Sequence, residues 1–422
     1  MREAVRKFLL GSALAALLSA SAGAQEPAAA PQDGLPVALR MTITEHPSVK
    51  SSLSELVTLG YDVESAQARR LPTFTVLGQA MSNEQTALIA RLQQPLWVGG
   101  RISGTIKATE ARVGVAKASL LQLERSMIEQ TVVAYAALEG ARRRLADAER
   151  NVEEHERLRA LISRRQVGGI TSEADVRLAG ARLAQAISLR EQVRVLVVRF
   201  RNDLLALTQH PIEGLVPVPE TLTRRMEREK IVSFLETQSA VVLQRQAEVE
   251  VARAAAELSI SEQMPSLYAR LDQDVYSTNQ YGTLPVGTRI GVAIESTTEG
   301  LGLTGWKRVK AADSRVKTAL EGVEVARNDV RRTAQSLIAD EVMLLHLLGS
   351  NEVVVKANED TMESFLRQYD AGRKTWVDVL NIQRDLSDAW QTFDQNRTLL
   401  LETRLRLMAM LGELDEIAGV LQ

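Results

Sequence analysis

The chain of 422 residues contains no cysteine. Disulfide bonds, thiolate nucleophiles, cysteine-ligated metals and lipids attached through cysteine are therefore excluded. Aromatic residues are scarce, with 4 Trp, 6 Tyr and 6 Phe. Neither sign of charge is in excess: 51 Lys and Arg face 53 Asp and Glu. Nucleic-acid binders normally carry a basic surplus, so no nucleic-acid partner is expected. The four histidines, His46, His155, His210 and His346, are far apart and lack metal-ligand spacing. No Walker A loop or serine nucleophile elbow occurs, so neither an enzyme nor a cofactor is predicted. Long apolar runs are also missing. The run Phe8 to Leu18 is shorter than the roughly 20 residues a membrane-spanning helix needs. It follows Arg2, Arg6 and Lys7 and precedes Ala22-Gly23-Ala24. That order reads as a secretory signal peptide over residues 1–24, followed by an Ala/Pro-rich leader over 25–40.

Proline is sparse, and its placement divides the chain. None of the 11 prolines lies between Pro95 and Pro211, and none follows Pro285. Proline interrupts helix interiors, so these two tracts, rich in Ala, Leu, Glu, Arg and Val, are predicted to be helical. Each holds one break, at Gly168-Gly169 and at Tyr369-Asp370-Ala371-Gly372. Glycine after a helix supplies a left-handed terminal turn. Each tract then reads as helix, tight turn, helix.

The tracts are copies of one another. A shift of 203 residues places Lys107-Ala108 on Lys310-Ala311, Gly169 on Gly372 and Asp175-Val176 on Asp378-Val379. A seven-residue apolar repeat aligns as well. It runs Ile106, Val113, Leu120, Met127, Ala134, Ala141 in one copy and Val309, Val316, Val323, Val330, Leu337, Leu344 in the other. The return helices repeat Val176, Leu183, Val197, Leu204, with Arg190 interrupting, and Val379, Leu386, Phe393, Leu400, Leu407. A period of seven is the coiled-coil geometry. Arg101 to Arg165 alone makes roughly 100 Å of helix.

Between the helical tracts the period changes to two. Leu267, Ala269, Leu271 and Val275 alternate with Tyr268, Arg270, Asp272, Asp274 and Tyr276. Thr288, Ile290, Val292 and Ile294 alternate with Arg289, Gly291, Ala293 and Glu295. An earlier pair spans Thr73 to Ser82 and Gln85 to Leu96, with Leu88, Ala90 and Leu92 on one face. Such strands suit either a transmembrane β-barrel or the edge of a soluble sandwich. Four strands cannot close a barrel, and a bilayer tolerates no open edge, so a membrane reading requires several chains to pool strands. Phe74, Tyr268, Tyr276, Trp97 and Trp306 then serve as interfacial belts or as ordinary core. The resulting plan is a first repeat over 41–215 (short helix, strands 73–96, hairpin 101–208) and a second over 216–414 (helix 226–263, strands 267–296, hairpin 305–411). A tail occupies 415–422.

Gln94-Pro95-Leu96-Trp97-Val98-Gly99-Gly100-Arg101 resembles the strand-to-helix junction of TolC-like outer-membrane factors. Val167 to Val176 and Tyr369 to Asn381 resemble their two periplasmic turns, and the likeness covers roughly residues 40 to 414. It implies a mainly α fold with a small β part. Duplicated helical hairpins form a periplasmic α-barrel, and four strands per chain join a shared transmembrane β-barrel. It further implies a homotrimer in outer-membrane lipid, whose turns meet a periplasmic adaptor coupled to an inner-membrane ABC or proton-driven transporter. The second turn looks most like the type I secretion branch that exports large adhesins; a drug or metal efflux pump is the alternative. The family's gate places two aspartates three residues apart, and here Asp378 matches the first while Asn381 replaces the second. Tyr369 and Lys374 match its other gate positions, with Asp175 a possible partner. Gly168, Gly169, Ile170, Gly372 and Arg373 fall at the adaptor-contact turns.

From spacing alone, Asp378, Asn381, Asp385 and Asp388 share one helix face. That face lines a lumen, or it is a solvated stripe in which Asp378 favours the helix N-terminal dipole. Gly300-Leu301-Gly302-Leu303-Thr304-Gly305 mimics a dinucleotide fingerprint. No second strand follows within about 30 residues, so these glycines are expected to turn the chain from strand to helix. A soluble periplasmic coiled-coil adaptor or scaffold is the competing class.

Overall fold

A computed structural model describes residues 34–80, 86–212, 215–218, 228–279, 282–283, 285–296 and 302–420. The predicted signal peptide lies outside the described residues, as do the first part of the leader and the tip of the first strand pair. In chain order the elements are α1 (Leu35–Glu45), α2 (Pro47–Ala68), β1 (Thr73–Ala80), β2 (Thr86–Trp97), α3 (Arg101–Val167) and α4 (Glu173–Thr208). There follow α5 (Arg228–Gln238), α6 (Ala240–Ser261), β3 (Ser266–Asn279), β4 (Gly282–Thr283), β5 (Thr288–Glu295), α7 (Leu303–Asp370), α8 (Trp376–Leu411) and α9 (Asp415–Ala418).

The duplication is visible in the elements. Helices α3 and α7 have 67 and 68 residues, and α4 and α8 have 36 each. At 1.5 Å per residue the two long helices each extend about 100 Å. Both start at a left-handed glycine, Gly100 at φ 84° and Gly302 at φ 88°. This is the strand-to-helix bend expected of the 300–305 glycines, of which Gly300 and Leu301 lie outside the described residues. The seven-residue stripe is the packed seam: Ile106, Met127, Ala134 and Ala141 are buried on α3, and Val323, Val330, Leu337 and Leu344 on α7. Alanines 312 and 326 are buried beside them, which lets α6 approach α7.

Strands β1, β2, β3 and β5 form one antiparallel sheet in that order, with the two-residue β4 on the far end of β3. Phe74, Leu92, Leu271 and Ile290 are in register on one face. Thr75, Arg91, Asp272 and Arg289 are in register on the other. The expected alternation fails at two places, and at one of them, between Pro95 and Trp97, Leu96 has no partner on β3. At the other, a bulge leaves Val275 without a partner on β2, with Ile89 opposite Asp274 and Leu88 opposite Tyr276. The extra residue reverses the alternation, so Tyr276 joins the apolar face.

Three other boundaries differ from the sequence reading. The leader does not run to residue 40, because α1 starts at Leu35 and buries Leu35, Ala38, Leu39 and Ile43. Those spacings make an apolar helix face, and Pro36 sits in the first turn, where its missing N–H costs nothing. The helix expected over 226–263 is two helices, broken where Ser239 is extended (ψ 136°). The terminal tail contains α9, and its Ala418 and Val420, with Leu414 just before it, enter the same core as Leu39, Ile128, Tyr135 and Leu405. Among the described residues no helix is long and apolar enough to cross a membrane.

Candidate functional site: the paired helical turns

Both hairpin turns are built by the same local chemistry. Gly169 and Gly372 hold φ 73° and 72°. Past them, Ile170 N–H donates to the Arg165 carbonyl at 2.9 Å and Arg373 N–H to the Gln368 carbonyl at 2.8 Å. These bonds close the helix ends with a left-handed glycine. The return helices then open with matching capping boxes. Ser172 Oγ accepts from Asp175 N–H at 3.2 Å, and Asp175 Oδ2 accepts from the Ser172 hydroxyl at 2.8 Å. Thr375 Oγ1 accepts from Asp378 N–H at 3.3 Å, and Asp378 Oδ2 accepts from the Thr375 N–H and hydroxyl at 3.0 and 2.8 Å. Asp175 and Asp378 are thus both third residues of their helices, where a carboxylate also complements the dipole. The Thr375 backbone and hydroxyl donors, with Lys374 nearby, hold the Asp378 carboxyl below the usual range.

The turns pack on each other. Leu158, Ile162 and Ala179 of the first hairpin share one apolar cluster with Met362, Tyr369, Trp376, Val379 and Leu380 of the second. Arg165 donates to Asp370 Oδ1 at 2.6 Å and also lies 4.6 Å from the centre of the Tyr369 ring. The Tyr369 ring stands 5.3 Å from Trp376, tilted by 49°. Both rings are buried, and among the described residues neither the Tyr369 hydroxyl nor Trp376 Nε1 has a hydrogen-bond partner by distance and angle. Burial pushes the Tyr369 hydroxyl above its ordinary pKa, and Arg165 opposes that shift. A single guanidinium therefore bridges the hairpins through an ion pair and a cation–π contact.

The residues picked out by sequence separate into three groups. Tyr369, Lys374, Asp175 and Asp378 gather at the turns. Asp175 acts on Tyr369 through charge rather than a hydrogen bond, and Lys374 Nζ folds over Phe365 at 4.2 Å. Gly168, Gly169, Ile170, Gly372 and Arg373 form the exposed tips, where Val167 and Ile170 are 86% and 72% exposed. Asn381, Asp385 and Asp388 run up α8 away from the turn, and Asp385 pairs with the neighbouring Arg384 at 2.8 Å. Arg165 and Trp376 were not singled out by sequence. Arg165 bridges to Asp370, 205 positions on in sequence, and only the packing of one copy on the other brings them together. Among the described residues no group of His, Asp and Glu is arranged to hold a metal.

Two long hairpins carrying a one-sided sheet define the architecture of the chain. Residues 38–208 match the sequence model of the outer membrane efflux protein family. No curated protein sequence matches significantly. Solved structures match the fold over nearly the whole chain. The outer membrane protein VceC of Vibrio cholerae superposes with a TM-score of 0.72 at 18% identity, covering 90% of this chain and 96% of its own. The open-state MtrE outer membrane channel of Neisseria gonorrhoeae gives 0.74 at 14% identity, covering 90% and 88%. CusC, whose structures concern transmembrane channel formation, gives 0.77 at 12% identity, covering 89% and 91%. The likeness is one of fold, and among these neighbours MtrE is described as a channel and CusC as forming one.

Proposed function

We propose that the protein is a passive exit duct of an outer membrane, assembled as a homotrimer. The observation that carries this reading is the sheet. Its apolar face is bare, with Phe74, Val76, Ile290, Val292 and Ile294 between 54% and 79% exposed. Its outer strands β1 and β5 each pair on one side only among the described residues. A four-stranded sheet with open edges and a bare apolar face is stable in neither water nor lipid. Three copies supply twelve long strands, enough to close a barrel. The hairpins then extend about 100 Å from the membrane, and their exposed tips reach a periplasmic adaptor. Energy comes from an inner-membrane ABC or proton-driven transporter joined to that adaptor.

In this duct Asp378 forms the narrow ring near the tips, with Asn381 halving the charge there, and Asp385 and Asp388 continue the polar wall. Tyr369 holds the ring closed through its contact with Arg165, with Lys374 and Asp175 beside it at the turns. The cargo we assign is protein, exported by type I secretion. The turn from Tyr369 to Asn381, which resembles the adhesin-exporting branch, supports that choice. Small-solute efflux is the second reading, favoured by the description of the matching family. Deleting the gene separates the two: loss of a surface adhesin and of biofilm is the expected result, and drug sensitivity with intact surface protein contradicts it. Heat-dissociable trimers in outer-membrane fractions are expected for either cargo. Recovery as soluble periplasmic protein would favour a coiled-coil scaffold instead.

A further inference from the structure

Where the sheet meets the helices, a polar cavity of about 390 Å³ is lined by Arg69, Thr73, Gln93, Arg101, Glu262 and Tyr268 among others. Its place on the sheet is fixed by register. Thr73 is opposite Gln93, which is opposite Arg270, and Pro95 is opposite Tyr268 two positions on. All of these are on the face that carries Arg91 and Asp272, away from the bare apolar face. In the duct that face is the lumen.

The cationic side chains on this face are not alike. Arg91 pairs with Asp272 at 2.7 Å, Arg270 with Glu295, and Arg289 with Asp274. Arg101 differs from these three. Its Nη2 donates at 2.7 and 3.0 Å to Ser266 Oγ and Tyr268 Oη, two neutral oxygens. Neither Arg101 nor Arg69 forms an ion pair among the described residues. Arg101 is half-buried, and its hydrogen bonds fix the guanidinium in place while leaving most of its five N–H groups unused among the described residues. Two guanidiniums against the single carboxylate of Glu262 leave the cavity with a surplus positive charge. Gln93, Thr73 and the Tyr268 hydroxyl add neutral donors.

We propose that this cavity binds a soluble oxyanion, a phosphate or carboxylate group, on the lumen side of the junction. A fixed guanidinium is suited to such groups because it offers paired N–H donors in one plane. The assignment to the lumen rests on the duct reading, whereas binding itself does not. Three copies would place six arginines around the passage at the level where cargo leaves the helical tunnel, giving anionic groups a stepping point beyond the acidic ring at the tips.

The test is calorimetric titration of the detergent-solubilised full-length protein with inorganic phosphate. Arg101→Gln should weaken binding about 10- to 100-fold, the loss expected for a charge-assisted hydrogen bond. Arg69→Gln should weaken it less, and Arg101→Lys should restore part of it. Glu262→Gln should tighten binding, an outcome no folding defect imitates. No binding by the wild type, or equal affinity in all variants, overturns the proposal. A second arm repeats the titration in mixed micelles with phosphatidylglycerol. Unchanged phosphate affinity supports a soluble occupant, and displacement by the lipid overturns it in favour of a headgroup. Phosphate binding that persists in a protein unable to form channels would refute the duct while leaving the site standing.

Discussion

A methyl group at Gly140 would lie 2.0 Å from Oγ1 of Thr398 and 2.6 Å from its Cγ2. Helices α3 and α8 therefore meet at a point where one copy's outgoing helix touches the other's return helix with no space for a side chain. Gly140→Val should lower the melting temperature of the purified protein by an amount corresponding to about 1–3 kcal/mol of overpacking. Thr398→Ala in the same chain should recover part of that loss; no recovery would show that the strain lies elsewhere. Glycines 169 and 372 act through the backbone instead. No neighbour lies within 4 Å of either missing Cβ, yet their positive φ is costly for a β-branched residue. Gly169→Val or Gly372→Val should leave the proposed trimer assembled and reduce export, measured as cargo reaching the cell surface. Unchanged export in both variants would remove the tips from the adaptor contact. These two glycines are legible in the sequence because a break in a long helical tract is a local signal. Gly140 is not, since its partner is 258 positions away and nothing nearby marks it.

Between elements, the α3–α8 seam carries a buried carboxyl pair. Asp394 of α8 is 4% exposed and faces the like charge of Asp147 on α3. Burial and this neighbour push its pKa up to about 7 against the pull of Arg143 and Arg397. Asp147 in turn pairs with Arg150, and Arg143 with Glu139. A carboxyl whose native pKa exceeds its unfolded value binds its proton more tightly when folded. Stability from this group is therefore full below about pH 4 and declines as pH rises to about 7. Glu124, also pushed to about 7 by burial and by Asp415, adds a slope of the same sign. Asp394→Asn should raise the melting temperature by a few degrees at pH 8, leave it unchanged at pH 4 and flatten the profile between. An equal shift at both pH values would show that the carboxyl is not titrating. At the tips, Arg165→Gln removes both the bond to Asp370 and the contact with Tyr369. Single-channel conductance should rise with Arg165→Gln, and an unaltered record would mean that the two hairpins are held shut by something else.

At the scale of the molecule, the duplication explains how much could be read in advance. Helix lengths and turns recur at shifts of 202 or 203 residues, so a feature faint in one copy is legible in the other. The seven-residue period identified the seams because it depends on neighbours within one helix. What was missed depends on distant partners. The bulge at Val275, the break at Ser239 and the docking of α9 beside α1 are set by tertiary packing, which leaves little trace in local pattern. Of the turns, the glycines and the place of Asp378 at a helix start are legible in sequence, and the capping role of Asp175 is not. Nor is the Arg165 bridge, because it joins one copy to the other. The central claim is that several chains pool their sheets into one pore. Planar-bilayer recording on the purified, detergent-extracted protein tests it most directly, with Asp378→Ala alongside. The account predicts discrete single channels, with a larger conductance or altered ion selectivity in the variant. Failure to insert under conditions where a control porin inserts would contradict it, and the four strands would then belong to a soluble periplasmic domain.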